Sequence, residues 1–356
     1  MGSKVQIGLA VGRGTGAELA SAFEQVIGKL GDIYAVRPVI SRSPRIYGSY
    51  FSLLPELDAG RIKEATAEDA RHYEEFCRGQ ASRGVTAIFR TAINAQSLYI
   101  VRERLHSVKV DALDTDLVSL LLVRDQAQGF YTGFNTHHDG VVTRTFQFSR
   151  HTTEKVVSFA LERARLHWGD RPIDRVIMAY KFHLLDGALS GWVSELSRRY
   201  DIEIELCQPD TANRDLIAGG LSGRVLVIGG NEWADIMHVV LLDWLGLGRQ
   251  ESRFSENVYL HPDLAGLAEF QTVHGSADNL EGKDLVNPTA AIRAAAAIMQ
   301  RHAACDGAER LVEHGLERLT ERGLVTADMG GRQSTTSVVN ALCEALESRR
   351  GWSGTR

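Results

Sequence analysis

At 356 residues, 44% of them apolar and 24% charged, the chain has the length and composition of one large globular domain or two smaller ones. A net charge of −5 argues against nucleic acid or an anionic membrane as the main partner. Cys77, Cys207, Cys305 and Cys343 lie far apart with no C-x-x-C pair, no apolar run reaches spanning length, and the amino terminus lacks a basic-then-apolar leader. The expectation is a soluble cytoplasmic protein with reduced thiols.

Lys4 to Val11 reads as a first buried strand, which Gly12-Arg13-Gly14-Thr15-Gly16 turns into an amphipathic helix, Ala17 to Leu30. Alone, the glycine cluster invites a dinucleotide-binding assignment. The acidic residue expected about 20 positions on is not clearly placed, because Asp32 opens DIYAVRPVI instead of ending a strand. The polar and aromatic stretch Ser41 to Gly60 reads as a lid, a substrate loop or a surface excursion. A helix (Ala67 to Ser82), a strand (Gly84 to Phe89), the loop Arg90 to Asn94 and a helix from Ser97 to Leu105 follow.

Leu117 to Val123 is apolar throughout, as in a strand buried on both faces, and it delivers RDQAQGFYTG. Phe134 to Phe148 alternates around His137-His138-Asp139-Gly140. Adjacent strand residues point to opposite faces, so these histidines read as solvated turn residues. After a helix (Thr152 to Trp168), the strand Arg175 to Tyr180 ends in Lys181, a position where partial desolvation lowers a lysine's pKa. Asp201 to Cys207 and Arg224 to Ile228 read as strands. Asn231 is placed to cap the helix NEWADIMHVVLLDWLG, with Asp235 in its first turns. Near the end, Asn287-Pro288 opens an alanine-rich helix.

Gln271 to Ile292 resembles the signature of the isocitrate and 3-isopropylmalate dehydrogenase family, HGSAPDIAGKxxANPTAAI. It matches at His274, Gly275, Ser276, Ala277, Gly282, Lys283, Asn287, Pro288, Thr289 and Ala290. Asp278 stands where the family has proline, and Asn279 where NAD-using members carry aspartate. VGRGTGAE is similar to the family's PGDGIGPE turn, and LVTADMGG to its TxDxGG segment. The resemblance implies cofactor contacts at His274, Gly275, Ser276, Ala277, Asn279 and Asn287. It further implies substrate contacts at Arg90 and Ser97. SLYIVRERL resembles the SLNVALRQEL helix and puts Arg102 on the first carboxylate-clamping arginine. RDQAQGFYTG is similar to RENTEGxYxG, giving Arg124 as the second clamp and Tyr131 as the acid that protonates the enol carbon. KFHLLDG resembles KANVLKxxDG, with Lys181 as general base. Asp210 falls on a metal-binding aspartate that is the lysine's proton partner, and Asp235 on a second metal ligand.

Three departures bear on chemistry. HSVKVDALDTD lacks the family's Arg-Pro, so the third clamp arginine is missing. Either the acid is not an ordinary malate-type diacid, or another cation, Lys109 being nearest in sequence, does the work. The aspartate one turn after Asp235 is Val239. His238 then stands either as a substitute metal ligand, better for Mn²⁺ than Mg²⁺, or as a packing residue. Ala327 and Gly331 occupy the positions that hold a 2′-phosphate in NADP-using members, which favours NAD over NADP.

The implied fold class is α/β, an isocitrate/isopropylmalate dehydrogenase-like two-domain fold with a large mixed sheet. Residues 1–98 with 250–356 would form the cofactor-side domain. Residues 99–249 would form the dimerisation domain, with an arm at 134–148. The implied partner is a second copy of the chain, each lending Lys181 and Asp210 to its neighbour's cleft. The implied activity is NAD(P)-dependent oxidation, with decarboxylation, of an unusual 2-hydroxy-3-carboxy acid, assisted by Mg²⁺ or Mn²⁺. Two rivals are a cofactor-free lyase or isomerase on the same fold and a non-catalytic regulatory subunit. The latter would be expected to lose Tyr131 or Lys181, and both are present.

Overall fold

The computed structural model describes residues 4–54, 58–219, 221–248, 250–273 and 275–347. The chain forms two compact units. The first is Met1–Val101, Gln250–Glu256 and Gly266–Arg356; the second is Arg102–Arg249 and Asn257–Ala265. The protein is α/β, and the strands of a large mixed sheet divide between the units.

The first unit begins with β1 (Lys4–Gly12), α1 (Gly16–Tyr34), β2 (Arg37–Tyr47), α2 (Tyr50–Leu53), α3 (Ala59–Ala81), β3 (Ala87–Arg90) and α4 (Ala95–Arg104). β1 pairs in parallel with β2 and with β3, which covers Ile7, Leu9 and Ala10 on both sides. α1 runs on to Tyr34, so Asp32 lies inside the helix and opens no strand. The lid or loop expected from Ser41 is also corrected: residues 41–47 complete β2, and 50–53 are a single helical turn. β2 is the outermost strand, where Pro38 and Pro44, which have no N–H, can be accommodated. A register break between Leu9 and Val11 takes up the residues around Pro44. Tyr47 ends the strand fully buried, edge-on to Tyr73 at 5.5 Å, and burial pushes its hydroxyl up to about 12.

The second unit carries β4 (Ser107–Asp114), β5 (Val118–Asp125), β6 (Phe134–His138), β7 (Val141–Thr145), α5 (Arg150–Trp168), β8 (Arg175–Ala179), α6 (Ala188–Tyr200), β9 (Glu205–Cys207), α7 (Pro209–Ala218), β10 (Gly223–Gly230) and α8 (Asn231–Trp244). Its sheet order is β4-β5-β10-β8-β9. β4 is antiparallel to β5, whereas β10 is parallel to both β5 and β8. Val108, Val110 and Val123 face one core, shared with α5 and α6. Leu113, Leu120 and Leu122 face the other, against Trp233, Ala234, Met237 and Leu241 of α8. The strand expected from Asp201 shrinks to 205–207, because Asp201 adopts a left-handed conformation that caps α6. β6 and β7 form a separate exposed hairpin with His137 and His138 in solvent.

β11 (Phe254–Tyr259) leads back to the first unit, where β12 (Ala268–Thr272), α9 (Thr289–His302), α10 (Ala308–Glu321) and α11 (Thr335–Glu347) complete it. β12 pairs in parallel with β3. The small side chains of α9, from Ala290 to Ala297, let it settle against α1, and Phe23 of α1 stacks on Phe89 at 4.1 Å.

Candidate active site

In the second unit, the apolar run of β5 ends at Arg124, which is buried at the start of α8. Its Nε and Nη2 donate to Asn231 Oδ1 at 3.3 and 3.0 Å, and Nη2 also pairs with Asp235. Asn231 was expected to cap α8, but it is the first residue inside the helix, behind Gly230, and its amide oxygen serves the arginine. Directly across the β4–β5 ladder from Arg124 sits Lys109, also buried. Burial, and then the Arg124 guanidinium, push the Lys109 ammonium down to about 7. Arg102, near the end of α4, is buried and adds to the positive potential at Lys109.

Lys181 follows β8 directly, and Asp210 lies in the first turn of α7. Lys181 Nζ donates to Asp210 Oδ1 at 3.0 Å and to Gln208 Oε1 at 3.3 Å. That hydrogen bond holds the Asp210 carboxyl below the usual carboxylate range. The desolvation expected at Lys181 is absent from a single chain, since its side chain is 51% and that of Asp210 71% exposed. The reason is geometric: β8 ends one residue before the lysine, and the chain turns outward into a short helical turn. Gln208 went unnoticed in the sequence; its position two residues before Asp210, at the cap of α7, was the available signal. Tyr131 is half-buried, and its backbone carbonyl accepts from Arg144 at 3.1 Å. Among the described residues, no hydrogen bond or ion pair joins Lys181 or Asp210 to Arg124 or Asp235.

In the first unit, Arg90 is held by a buried ion pair. It is buried at the end of β3 with Nε on Glu269 Oε1 at 2.7 Å, and Glu269 also accepts from the Tyr73 hydroxyl. Ser97 is buried on α4, and its hydroxyl has no hydrogen-bond partner among the described residues. The turn at 12–16 is knitted to its surroundings. Gly12 N donates to Thr91 Oγ1, and a Cβ at Gly12 would lie 1.8 Å from the Ala92 carbonyl oxygen. At Gly14 (φ +68°) a Cβ would lie 2.3 Å from the Ser276 oxygen, which accepts from Thr15 N at 2.9 Å. These contacts account for the glycines at 12 and 14.

The loop at 275–287 is held from several sides. Asp278 accepts from the hydroxyls of Ser49 and Ser276, a polar brace where the family signature has a proline ring. Ala277 takes a left-handed conformation, and Asn279 and Gly275 are exposed. Asn287 is engaged internally: Oδ1 accepts from Thr289 N and Nδ2 donates to Asp328. It does cap α9, across Pro288, which sits at the cap position. His274 lies outside the described residues.

A family model described as isocitrate/isopropylmalate dehydrogenase matches residues 83–342. The chain belongs to that family. It is 27% identical over 243 residues to the 3-isopropylmalate dehydrogenase of Bacillus thuringiensis subsp. konkukian, covering 66% of this chain and 64% of that protein. It is 25% identical over 242 residues to a probable tartrate dehydrogenase/decarboxylase of Agrobacterium vitis, covering 64% and 63%. With a probable NAD isocitrate dehydrogenase subunit alpha of Drosophila melanogaster the figures are 26% over 234 residues, 65% and 59%. The matched stretch thus spans somewhat under two thirds of the length of these relatives. Isocitrate dehydrogenase from Methylococcus capsulatus shares the fold, with a TM-score of 0.65, 19% identity and coverage of 96% and 99% of the two chains. A beta-decarboxylating dehydrogenase from Thermococcus kodakarensis does so at 0.64, 20%, and 98% of each.

Members of the isocitrate/isopropylmalate dehydrogenase family use NAD(P) and Mg or Mn. The residues of this chain do not by themselves fit a divalent metal. Asp235 is 54% exposed but already paired with Arg124. His238 turns inward, 2% exposed and 3.8 Å from Asp111, so it packs and does not replace the missing aspartate. Three residues along a helix is about 60° around its axis, enough to carry it onto the buried face. Val239 belongs to an exposed apolar stripe with Ile236, Val240 and Trp244. Among the described residues no group of three His, Cys, Asp or Glu side chains is placed to hold a metal. The nucleotide fares better: the 275–287 loop is fixed from below, and Gly275 and Asn279 face solvent with open space around Gly275.

Proposed function

We propose that this chain oxidises a 2-hydroxy acid bearing a 3-carboxylate, with NAD preferred to NADP. The observation that carries the proposal is the Lys181–Asp210 hydrogen bond at 3.0 Å, a base and its proton partner at the ends of two neighbouring elements. Bound NAD would accept the hydride. Gly275, Ser276, Ala277 and Asn279 would hold its adenosine. Lys181 takes the hydroxyl proton, with Asp210 and Gln208 holding its Nζ in place. Arg124 and Arg102 bind the carboxylate end of the acid, and Tyr131 returns a proton to carbon where a carboxyl group leaves. The apolar stripe Ile236, Val239, Val240 and Trp244, with Phe134, Val141, Val142 and Phe146 of the hairpin region, gives a second copy of the chain a surface to cover.

A screen of 2-hydroxy-3-carboxy acids with Mn²⁺ and NAD⁺, followed by absorbance of the reduced cofactor, tests the reaction. Replacing Lys181 by methionine is expected to abolish turnover while leaving the thermal midpoint nearly unchanged, as its side chain is exposed; full activity in K181M would remove it as the base. One observation favours a cofactor-free lyase or isomerase as the second reading: the metal donors are incomplete. Thermal stabilisation by NAD⁺ alone separates the two, since a ligand at 100 times its Kd adds about 2.7 kcal/mol.

A further inference from the structure

The turn that carries Tyr131 is gripped by a side chain that the proposed reaction does not name. Arg144 lies on β7, opposed to Asn135 of β6 in the hairpin ladder. From Val141 to Gln147 it alone is not exposed to solvent. Its guanidinium reaches back from the hairpin to the turn. Nε donates to the Phe130 carbonyl at 2.6 Å, Nη2 to the Tyr131 carbonyl at 3.1 Å and Nη1 to Asn135 Oδ1 at 2.9 Å. The same cation lies over the Phe130 ring, 5.2 Å from its centre.

The pair of carbonyls has a geometric consequence. Peptide groups are planar, so the chain bends at Tyr131 only through the two torsions at its Cα. The Phe130 carbonyl belongs to the plane before that atom, and the Tyr131 carbonyl to the plane after it. One rigid guanidinium bonded to both fixes the angle between the planes. It thereby fixes the direction in which the tyrosine side chain leaves the backbone. Neighbouring contacts hold the turn at either end. Gln128 is tied to Asp125, Thr153 and the Ser149 amide, and Thr132 closes on the Gly129 carbonyl through its N–H and its hydroxyl. A Cβ at Gly133 would lie 2.2 Å from the Thr145 carbonyl oxygen, so the glycine lets β7 approach closely enough for Arg144 to act at the middle.

We infer that Arg144 is a positioning residue for Tyr131: through one forked cation, the hairpin sets the backbone on both sides of the proposed acid. Lysine would keep the charge and lose the fork, because an ammonium is a point donor. The inference rests on the role proposed for Tyr131.

The full chain labelled with 3-fluorotyrosine reports the Tyr131 ring by fluorine NMR, with Y131F assigning the signal. In wild type that signal is expected to be single and sharp. In R144K it is expected to shift and broaden as the ring samples several orientations, with the other tyrosine signals in place. R144Q carries the same expectation should R144K fold poorly. A Tyr131 signal that neither variant moves overturns the inference. Kinetics add a second test, with NAD⁺, Mn²⁺ and the acid turned over fastest in the screen of 2-hydroxy-3-carboxy acids. R144K is expected to lower kcat about tenfold and to leave KM nearly unchanged. Y131F/R144K is expected to be no slower than Y131F, because the arginine acts only through the tyrosine. An equal fold loss from R144K in the wild-type and Y131F backgrounds also overturns the inference. The two proposals fail separately. A Tyr131 signal that depends on Arg144, in a chain that oxidises no acid, sinks the reaction and leaves the grip standing. Turnover that K181M abolishes and R144K leaves untouched, with the Tyr131 signal unmoved, does the reverse.

Discussion

Arg90 is the last residue of β3 and Arg124 the last but one of β5; both are buried, and the two are treated in opposite ways. Arg90, at the end of β3, meets a buried carboxylate: Glu269 faces it at 2.7 Å and also takes the Tyr73 hydroxyl. Arg124, next to the end of β5, has a carboxamide and a half-exposed carboxylate, and one nitrogen with no acceptor among the described residues. The first arrangement is closed and belongs to the architecture. The second leaves one buried donor over. From sequence, both looked like substrate ligands. What separates them is the acceptor inventory around each guanidinium, not burial, which is the same.

The largest effect expected from that contrast is on stability. Removing one member of the closed pair, as R90M or E269Q, leaves a buried charge unmatched and is expected to cost about 3–5 kcal/mol in chemical denaturation. R124M is expected to cost markedly less stability but to weaken binding of the hydroxy acid by about 2 kcal/mol or more. Equal destabilisation by R90M and R124M would erase the distinction. An effect confined to a pH window lies one residue on. Burial raises the Asp125 carboxyl to about 6, against 3.8 in the unfolded chain, despite hydrogen bonds from Gln128, Ala127 and Tyr180. A raised folded pKa means that stability is fully present below 3.8 and is lost as pH rises through about 6. D125N should flatten the denaturation midpoint between those pH values; an unaltered slope would show that Asp125 is not its source.

The parts of the molecule that could be read in advance are those set by local pattern. The apolar runs that became β1, β5, β8 and β10 are covered on both faces and look it. The meeting of Lys181 with Asp210 was implied by the family resemblance and not by local pattern. β2 escaped because an edge strand with two prolines and alternating polar residues carries the signature of a loop. The partner of Arg90 could not be read in advance because it lies 179 positions away, and no spacing rule reaches that far. The sequence leaves His238 open between ligand and packing residue for a finer reason: near the margin between the buried and exposed faces of α8, helical periodicity alone does not say which way a ring turns.

The brace between the first glycine turn and the 275–287 loop bears on how the chain could be divided. Thr15 donates to Ser276, and Glu18 accepts from the backbone of Gly282 and Asp284. The residues recognised by the family model start only at 83. A fragment cut to that recognisable span would carry the signature letters intact and lose the splint that gives them their shape.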